Sequence, residues 1–209
     1  MKFVSLVSSG IDSPVATYLL SKKAEEILLL HGDIRPFTDE REIENFIKLV
    51  RHLKKICPCS LKFYLIPHGD SLNSFRKNCD IKFNCVFCKR MLLRYAEKIA
   101  EKEGAEAIIM GDSLGQVASQ TLQNILVIDN AVKMPVLRPL IGFDKEDVVR
   151  IAKEIETYDL SILPSDSCNA VPNKPSTSAK LEKILEEERR IDIKKLIDKA
   201  VNGKQEIML

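Results

Sequence analysis

Two stretches carry residue types and spacings that could do chemistry: Ser8-Ser9-Gly10-Ile11-Asp12-Ser13 and Cys85-Val86-Phe87-Cys88. In the first, an apolar run ends in hydroxyls, one glycine and one carboxylate, and Pro14 opens an amphipathic pattern. Consecutive backbone N–H groups in a tight turn form an anion nest, and a helix N-terminus adds partial positive charge. Ser8, Ser9 and Ser13 add hydroxyl donors, so the expected guest is a phosphate. No Gly-Lys-Ser/Thr ending follows, and a single glycine cannot make the three-glycine dinucleotide fingerprint. A serine-rich helix cap without a ligand is the competing reading.

The second stretch has the Cys-x-x-Cys spacing that brings two thiolates to one metal. A structural zinc needs four ligands, and Cys57, Cys59 or Cys79 could complete such a set. Free thiols are the other alternative. The residues after Met1 are too few and too polar for a signal peptide or membrane span, so the chain is expected to be cytoplasmic, with no membrane partner. That compartment is reducing, and six cysteines there read as ligands or redox groups rather than as disulfides.

The elements that must position these groups alternate along the chain. Apolar runs at 2–8, 26–32, 61–68 and 106–112 read as buried strands, and helical patterns are expected near 13–23, 39–55, 88–103, 113–123 and 144–154. That order predicts an α/β fold, a parallel sheet with helices on both faces. Pro135 and Pro139 place a further strand within 133–143 at an edge. Residues 69–87 interrupt the rhythm, 161–178 read as a loop, and the charged tail loses its apolar phase near Glu188, as two short helices would. Ligands of parallel sheets sit beyond the carboxyl ends of strands. The 8–13 loop occupies such a place, and so does "GDSLGQVASQTLQNI" (111–125), where Gln116, Ser119, Gln120 and Thr121 would lie along one helical turn.

With 45% hydrophobic and 30% charged residues, the 209-residue chain has the composition of one globular domain. Net charge is only +2, yet residues 48–94 hold 11 Lys/Arg against 2 Asp/Glu. Phe63, Tyr64, Phe75, Phe83 and Phe87 fall in the same segment, which could supply a polyanion-binding face; the alternative is a solvated basic surface over core aromatics.

The 8–13 loop resembles the S-G-G-x-D-S loop of the PP-loop ATP pyrophosphatases, with Ser9 where the second-position glycine usually stands. The chain as a whole resembles the tRNA uracil 4-sulfurtransferases, also called tRNA 4-thiouridine synthetases. The likeness runs through "PFTDE" (36–40), "KRMLLRYAEKIAEKEGA" (89–105), "GDSLGQVASQTLQNI", "IDNAVKMPVLRPLIGFDKEDV" (128–148) and "CNAVPNKPST" (168–177). It implies an adenine nucleotide alpha hydrolase-like, Rossmann-like three-layer sandwich, with residues 1–178 as the PP-loop domain and 179–209 as a helical tail packed on it.

The resemblance further implies ATP and Mg²⁺ as cofactors. Ser8, Ser9, Gly10, Ile11, Asp12 and Ser13 would hold the pyrophosphate, and Gly111, Gln116, Ser119 and Gln120 would face nucleotide and substrate. Asp12 and Lys145 would serve adenylation of a uridine O4, and Cys168 would handle sulfur. In a subset of the family, residues matching Cys85, Cys88 and Cys168 hold an iron–sulfur cluster, 4Fe-4S or 3Fe-4S, with zinc as the alternative. Neither the family's tRNA-docking THUMP region nor its rhodanese domain has a counterpart in these residues. The expected partners are therefore tRNA, a separate THUMP-type docking protein, a sulfide or persulfide donor and a second copy of the chain. The rival readings are a PP-loop enzyme adenylating a small molecule and a non-catalytic nucleotide- or metal-binding subunit.

Overall fold

The computed structural model describes residues 1–209. Five strands run parallel: β1 (Lys2–Leu6), β2 (Glu26–Asp33), β3 (Ser60–Pro67), β4 (Ala107–Ile109) and β5 (Val136–Leu137). A sixth, β6 (Gln205–Glu206), pairs antiparallel with β3, and the sheet order is β5-β4-β1-β2-β3-β6. The central strands are apolar on both faces, so alternate residues feed two cores. Val4, Leu6, Leu28 and Leu30 enter one, while Phe3, Ile27 and Leu29 enter the other.

Helices cover both faces. On the side of Phe3 lie α1 (Asp12–Ser21), α2 (Glu40–Ile56) and α6 (Lys145–Glu154), which contribute Val15, Phe46 and Val148. The opposite side is built by α3 (Gly69–Asn78), α4 (Asn84–Glu103), α5 (Leu122–Asp129), α8 (Leu181–Glu188) and α9 (Ile193–Asn202). A four-residue turn, α7 (Tyr158–Ser161), follows α6. The long α4 ends at Gly104, whose φ of 71° is the left-handed conformation a helix stop favours. Glu188, where the apolar phase of the tail breaks, turns inward and receives Arg90 Nε and Nη2 at 2.9 Å and Arg94 Nη1 at 2.7 Å. The tail is thereby ion-paired to the middle of α4.

The structure corrects one expectation and decides two readings that the sequence left open. Residues 113–123 are not a helix: Gly115 takes a positive φ of 75°, a single 3-10 turn spans Ala118–Gln120, and Thr121 caps α5 by accepting from Asn124 N–H. A run this polar has no apolar stripe to lay against the core, so its side chains stay at the end of the sheet. The interruption at 69–87 contains α3, a short 3-10 turn and the start of α4. The aromatics of 48–94 form no face: Phe63, Tyr64, Phe75, Phe83 and Phe87 are all buried, with Phe75 stacked on Phe87 at 4.5 Å. Their burial stabilises the fold more than exposure on a basic surface would.

Candidate active site

In the order β5-β4-β1-β2-β3 the chain direction across the sheet reverses between β1 and β4. The crevice beyond their carboxyl ends is where an open α/β sheet binds ligands. A cavity of about 600 Å³ lies there, walled by the loop after β1, the segment after β4 and the first residue of α6. Ser8, Gly10, Ile11, Asp12 and Ser13 line it from one side, and Gly111, Gln116, Ser119 and Gln120 from the other. Ser9 does not line it.

The loop is held by its own hydroxyls. Ser8 N–H donates to Ser13 Oγ at 2.9 Å, and Gly10 N–H to Ser8 Oγ at 3.3 Å. No side chain caps the N-terminus of α1, so its first-turn N–H groups are left to a guest. Lys145 Nζ reaches across from α6 to Asp12 Oδ1 at 2.6 Å, bringing together two residues 133 positions apart. One carboxylate and one ammonium thus meet at the mouth of the 8–13 loop.

The thiols form a second cluster at the same end of the sheet. Cys85 and Cys88 are the second and fifth residues of α4. Cys168 lies in the 163–178 strap, whose backbone is pinned by side chains from several elements. Thr38 Oγ1 donates to Asp166 O at 2.9 Å, Arg76 Nη1 to Asn169 O at 3.2 Å, and Asn84 Nδ2 to Ala170 O at 2.8 Å. The three thiols are electrostatic neighbours: burial first, then Cys85 and Cys168, push the Cys88 thiol up to about 12, and burial followed by Cys168 raises Cys85. Lys89 opposes both shifts.

No three His, Cys, Asp or Glu side chains converge as a formed metal-ligand set. In donor chemistry, thiolates from α4 and the strap are soft ligands of the kind that iron–sulfur centres use. A four-coordinate zinc would need a fourth ligand besides these thiols, and none of the further cysteines supplies it. Cys57 and Cys59 precede β3 at the amino ends of the strands, near Ser21 and Glu26, and burial pushes Cys57 up to about 11. Cys79 Sγ donates to Glu187 O at 3.4 Å.

Residues 1–193 match the family model described as ThiI: Thiamine biosynthesis protein (ThiI). The chain belongs to the ThiI family. A probable tRNA sulfurtransferase of Methanobrevibacter smithii is 45% identical to it over 205 residues, covering 97% of this chain and 53% of that protein. One of Methanothermobacter thermautotrophicus is 44% identical over 194 residues, covering 92% and 50%. A crystal structure of a 4-thiouridine synthetase–RNA complex with bound ATP superposes with a TM-score of 0.94 at 35% identity, covering 99% of this chain and 54% of that one. NMN synthetase from Francisella tularensis, at 14% identity and a TM-score of 0.59, covers 96% of this chain and 83% of its own and shares the fold. The chain spans about half the length of the curated relatives it matches.

This ThiI-family site also contains groups that motif reading missed. Lys89, next to Cys88, lines the cavity and donates to Asp112 Oδ1 at 2.6 Å. Asp112 also receives Arg138 Nε at 3.1 Å and Gln120 Nε2 at 3.3 Å. Burial pushes its carboxyl up, but Lys89 and Arg138 outweigh that and hold it below the usual range. His31 Nε2 lies 2.7 Å from Glu42 Oε2 and its Nδ1 2.8 Å from Val7 O, fixing the start of the loop after β1 to α2. Asp112 had a usable signal, a carboxylate beside Gly111 at a strand's carboxyl end. Arg138 and His31 had none, since each acts through a partner distant in sequence.

Proposed function

We propose that the chain is the PP-loop part of an ATP-dependent tRNA sulfurtransferase that converts a uridine to 4-thiouridine. Residues 1–178 would form the catalytic unit, and 179–209 the tail that braces it. The observation that carries this reading is the single cavity at the β1–β4 switch, with the Asp12–Lys145 pair on one wall and Lys89, the neighbour of Cys88, on the other. The relatives named as probable tRNA sulfurtransferases, and the synthetase solved with RNA and ATP, support the same chemistry.

Pyrophosphate oxygens occupy the 8–13 loop, and Asp12, the one carboxylate of that loop, fits Mg²⁺ beside them. Gly111, Gln116, Ser119 and Gln120 face nucleotide and acceptor base. Uridine O4 forms a bond to the α-phosphorus, pyrophosphate leaves with its bridging oxygen, and the N3 proton is released. Lys145 moves from Asp12 toward the charge that grows on the phosphates. Hydrosulfide-level sulfur then adds at C4, the C4–O4 pair departs with AMP, and the sulfur's proton ends on N3. Cys85, Cys88 and Cys168 would hold an iron–sulfur cluster, which when bound supplies a place to keep reduced sulfur. The tRNA would be docked by a THUMP-type region, on this protein or a partner, with sulfide or persulfide delivered from outside. A homodimer and a cytoplasmic site of action, where tRNA is found, fit this role; no helix is long and apolar enough to cross a membrane.

The test is anaerobic incubation with ATP, Mg²⁺, sulfide and tRNA, following AMP and, by nucleoside mass spectrometry, 4-thiouridine. The expected result is tRNA-stimulated AMP formation with sulfur incorporated. AMP formation stimulated by a small metabolite but not by tRNA would replace this reading with the small-molecule one.

A further inference from the structure

Behind the thiols lies a chain of buried polar side chains that the sulfur-transfer scheme does not use. His68, directly after β3, places Nε2 3.2 Å from Cys88 Sγ and Nδ1 3.3 Å from Tyr95 Oη. Tyr95 Oη is in turn 2.6 Å from Ser71 Oγ. His68 and Tyr95 are fully buried and Ser71 is 2% exposed. Burying three polar side chains in a row is costly unless each has a partner. Here every one does, and the row ends on a sulfur.

Three elements are needed to build it. His68 N–H donates to Asp33 O at 2.7 Å, which continues the β2–β3 pairing past the last strand residue and fixes the histidine backbone. Gly69 lets that corner lie against the preceding loop, because a Cβ there would stand 1.9 Å from Arg35 O. Tyr95 comes from α4 two turns beyond Cys88, and its ring meets the His68 ring edge-on at 5.6 Å.

The direction of the row follows from what each atom can do. Hydroxyls of Ser71 and Tyr95 both donate and accept, whereas a neutral imidazole donates from one nitrogen and accepts at the other. A thiol at Cys88 can donate to Nε2, and the row then runs outward from sulfur to Ser71. A metal-bound sulfur carries no hydrogen and can only accept. The row then reverses: Ser71 donates to Tyr95, Tyr95 to Nδ1, and Nε2–H to Cys88 Sγ. The same side chains stay hydrogen-bonded in both states, and only the direction of donation reverses.

We propose that His68 is a positioning residue for the cluster ligand Cys88, donating Nε2–H to its sulfur when the cluster is bound, with Tyr95 and Ser71 fixing that tautomer. This rests on the cluster assignment made above. A hydrogen bond to a ligating sulfur fixes the ligand and draws off electron density, so it slows metal loss and raises the reduction potential.

The test compares wild type, His68→Leu, His68→Gln and Tyr95→Phe, each with its cluster reconstituted anaerobically. The readouts are the rate of iron loss to a chelator and the reduction potential. His68→Leu should lose iron ten- to a hundredfold faster, the usual scale for losing a ligand's hydrogen-bond partner. Its potential should fall, by about 59 mV for a tenfold change in a one-electron couple. His68→Gln, which can still donate, should stay within threefold of wild type. Tyr95→Phe keeps the packing and removes only the hydroxyl, so it should shift both readouts in the same direction by less. Iron loss and potential unchanged in His68→Leu and Tyr95→Phe would overturn the role, as would faster iron loss without any change in potential. A wild type that takes up no iron would instead overturn the cluster assignment, and this role with it.

Discussion

Gly111 and Ser13 meet backbone to backbone: a Cβ on Gly111 would stand 2.6 Å from Ser13 Cα and 2.7 Å from Ser13 N. The contact joins the segment after β4 to the loop after β1, so the two halves of the cavity share one seam. Gly111→Ala cannot be relieved by a side-chain rotation, because both opposing atoms are main chain. It should destabilise the fold by about 1–3 kcal/mol, the range for overpacking, and shift the phosphate loop. Urea unfolding and ATP titration would check this; an alanine variant that binds ATP like wild type would show that the seam can open freely.

Lys145 and Cys85 should separate the two half-reactions. Removing one preorganised cation from a developing phosphate charge costs about 3 kcal/mol of barrier, roughly a hundredfold in rate. Lys145→Met should therefore lose tRNA-stimulated AMP formation, whereas Cys85→Ser should keep it and lose 4-thiouridine. Single-turnover AMP release and nucleoside mass spectrometry measure the two steps. Equal loss of AMP formation in both variants would contradict the division of roles.

Glu188 supports the site from behind. Its side chain is 7% exposed, and it is shared by Arg90, 1% exposed, and Arg94. Burial pushes its carboxyl up, yet the hydrogen bonds from Arg94 and Arg90 prevail and hold it below the ordinary carboxylate range. Glu188→Gln leaves buried guanidinium charge uncompensated and should cost about 3–5 kcal/mol at neutral pH.

The same cluster of Glu188, Arg90 and Arg94 predicts a pH dependence. A carboxylate depressed in the folded state contributes fully above its unfolded pKa, near 4.3, and loses that contribution as pH falls through the lower folded value. Stability of the wild type should drop between pH 5 and the folded pKa more steeply than that of Glu188→Gln, as denaturant melts at several pH values would reveal. Parallel curves would mean that Glu188 titrates as an exposed group does.

RNA affinity should be salt-dependent if phosphate contacts carry it. The logarithm of the association constant should fall linearly with the logarithm of salt concentration, by about 0.7–0.9 per phosphate neutralised. Filter binding of tRNA across a salt series gives the slope. A flat series would assign the docking to contacts other than the exposed lysines and arginines.

Much of this was legible in the linear sequence, because it is written in short-range patterns. The apolar runs of β1 to β3 announced a parallel sheet, Ser8 to Ser13 with Pro14 announced a turn at a helix start, and the phase break at Glu188 announced two tail helices. Such signals reflect the local geometry of helix and strand, which a few neighbouring residues decide. The tertiary structure alone decided that the aromatics of 48–94 are core and that 113–123 stays unwound. It also decided that Lys145 meets Asp12 across 133 residues, that Arg138 and Lys89 share Asp112, and that His68 backs Cys88. Those contacts join residues distant in sequence, and only the packing of helices on the sheet selects which polar side chains are buried together and must pair.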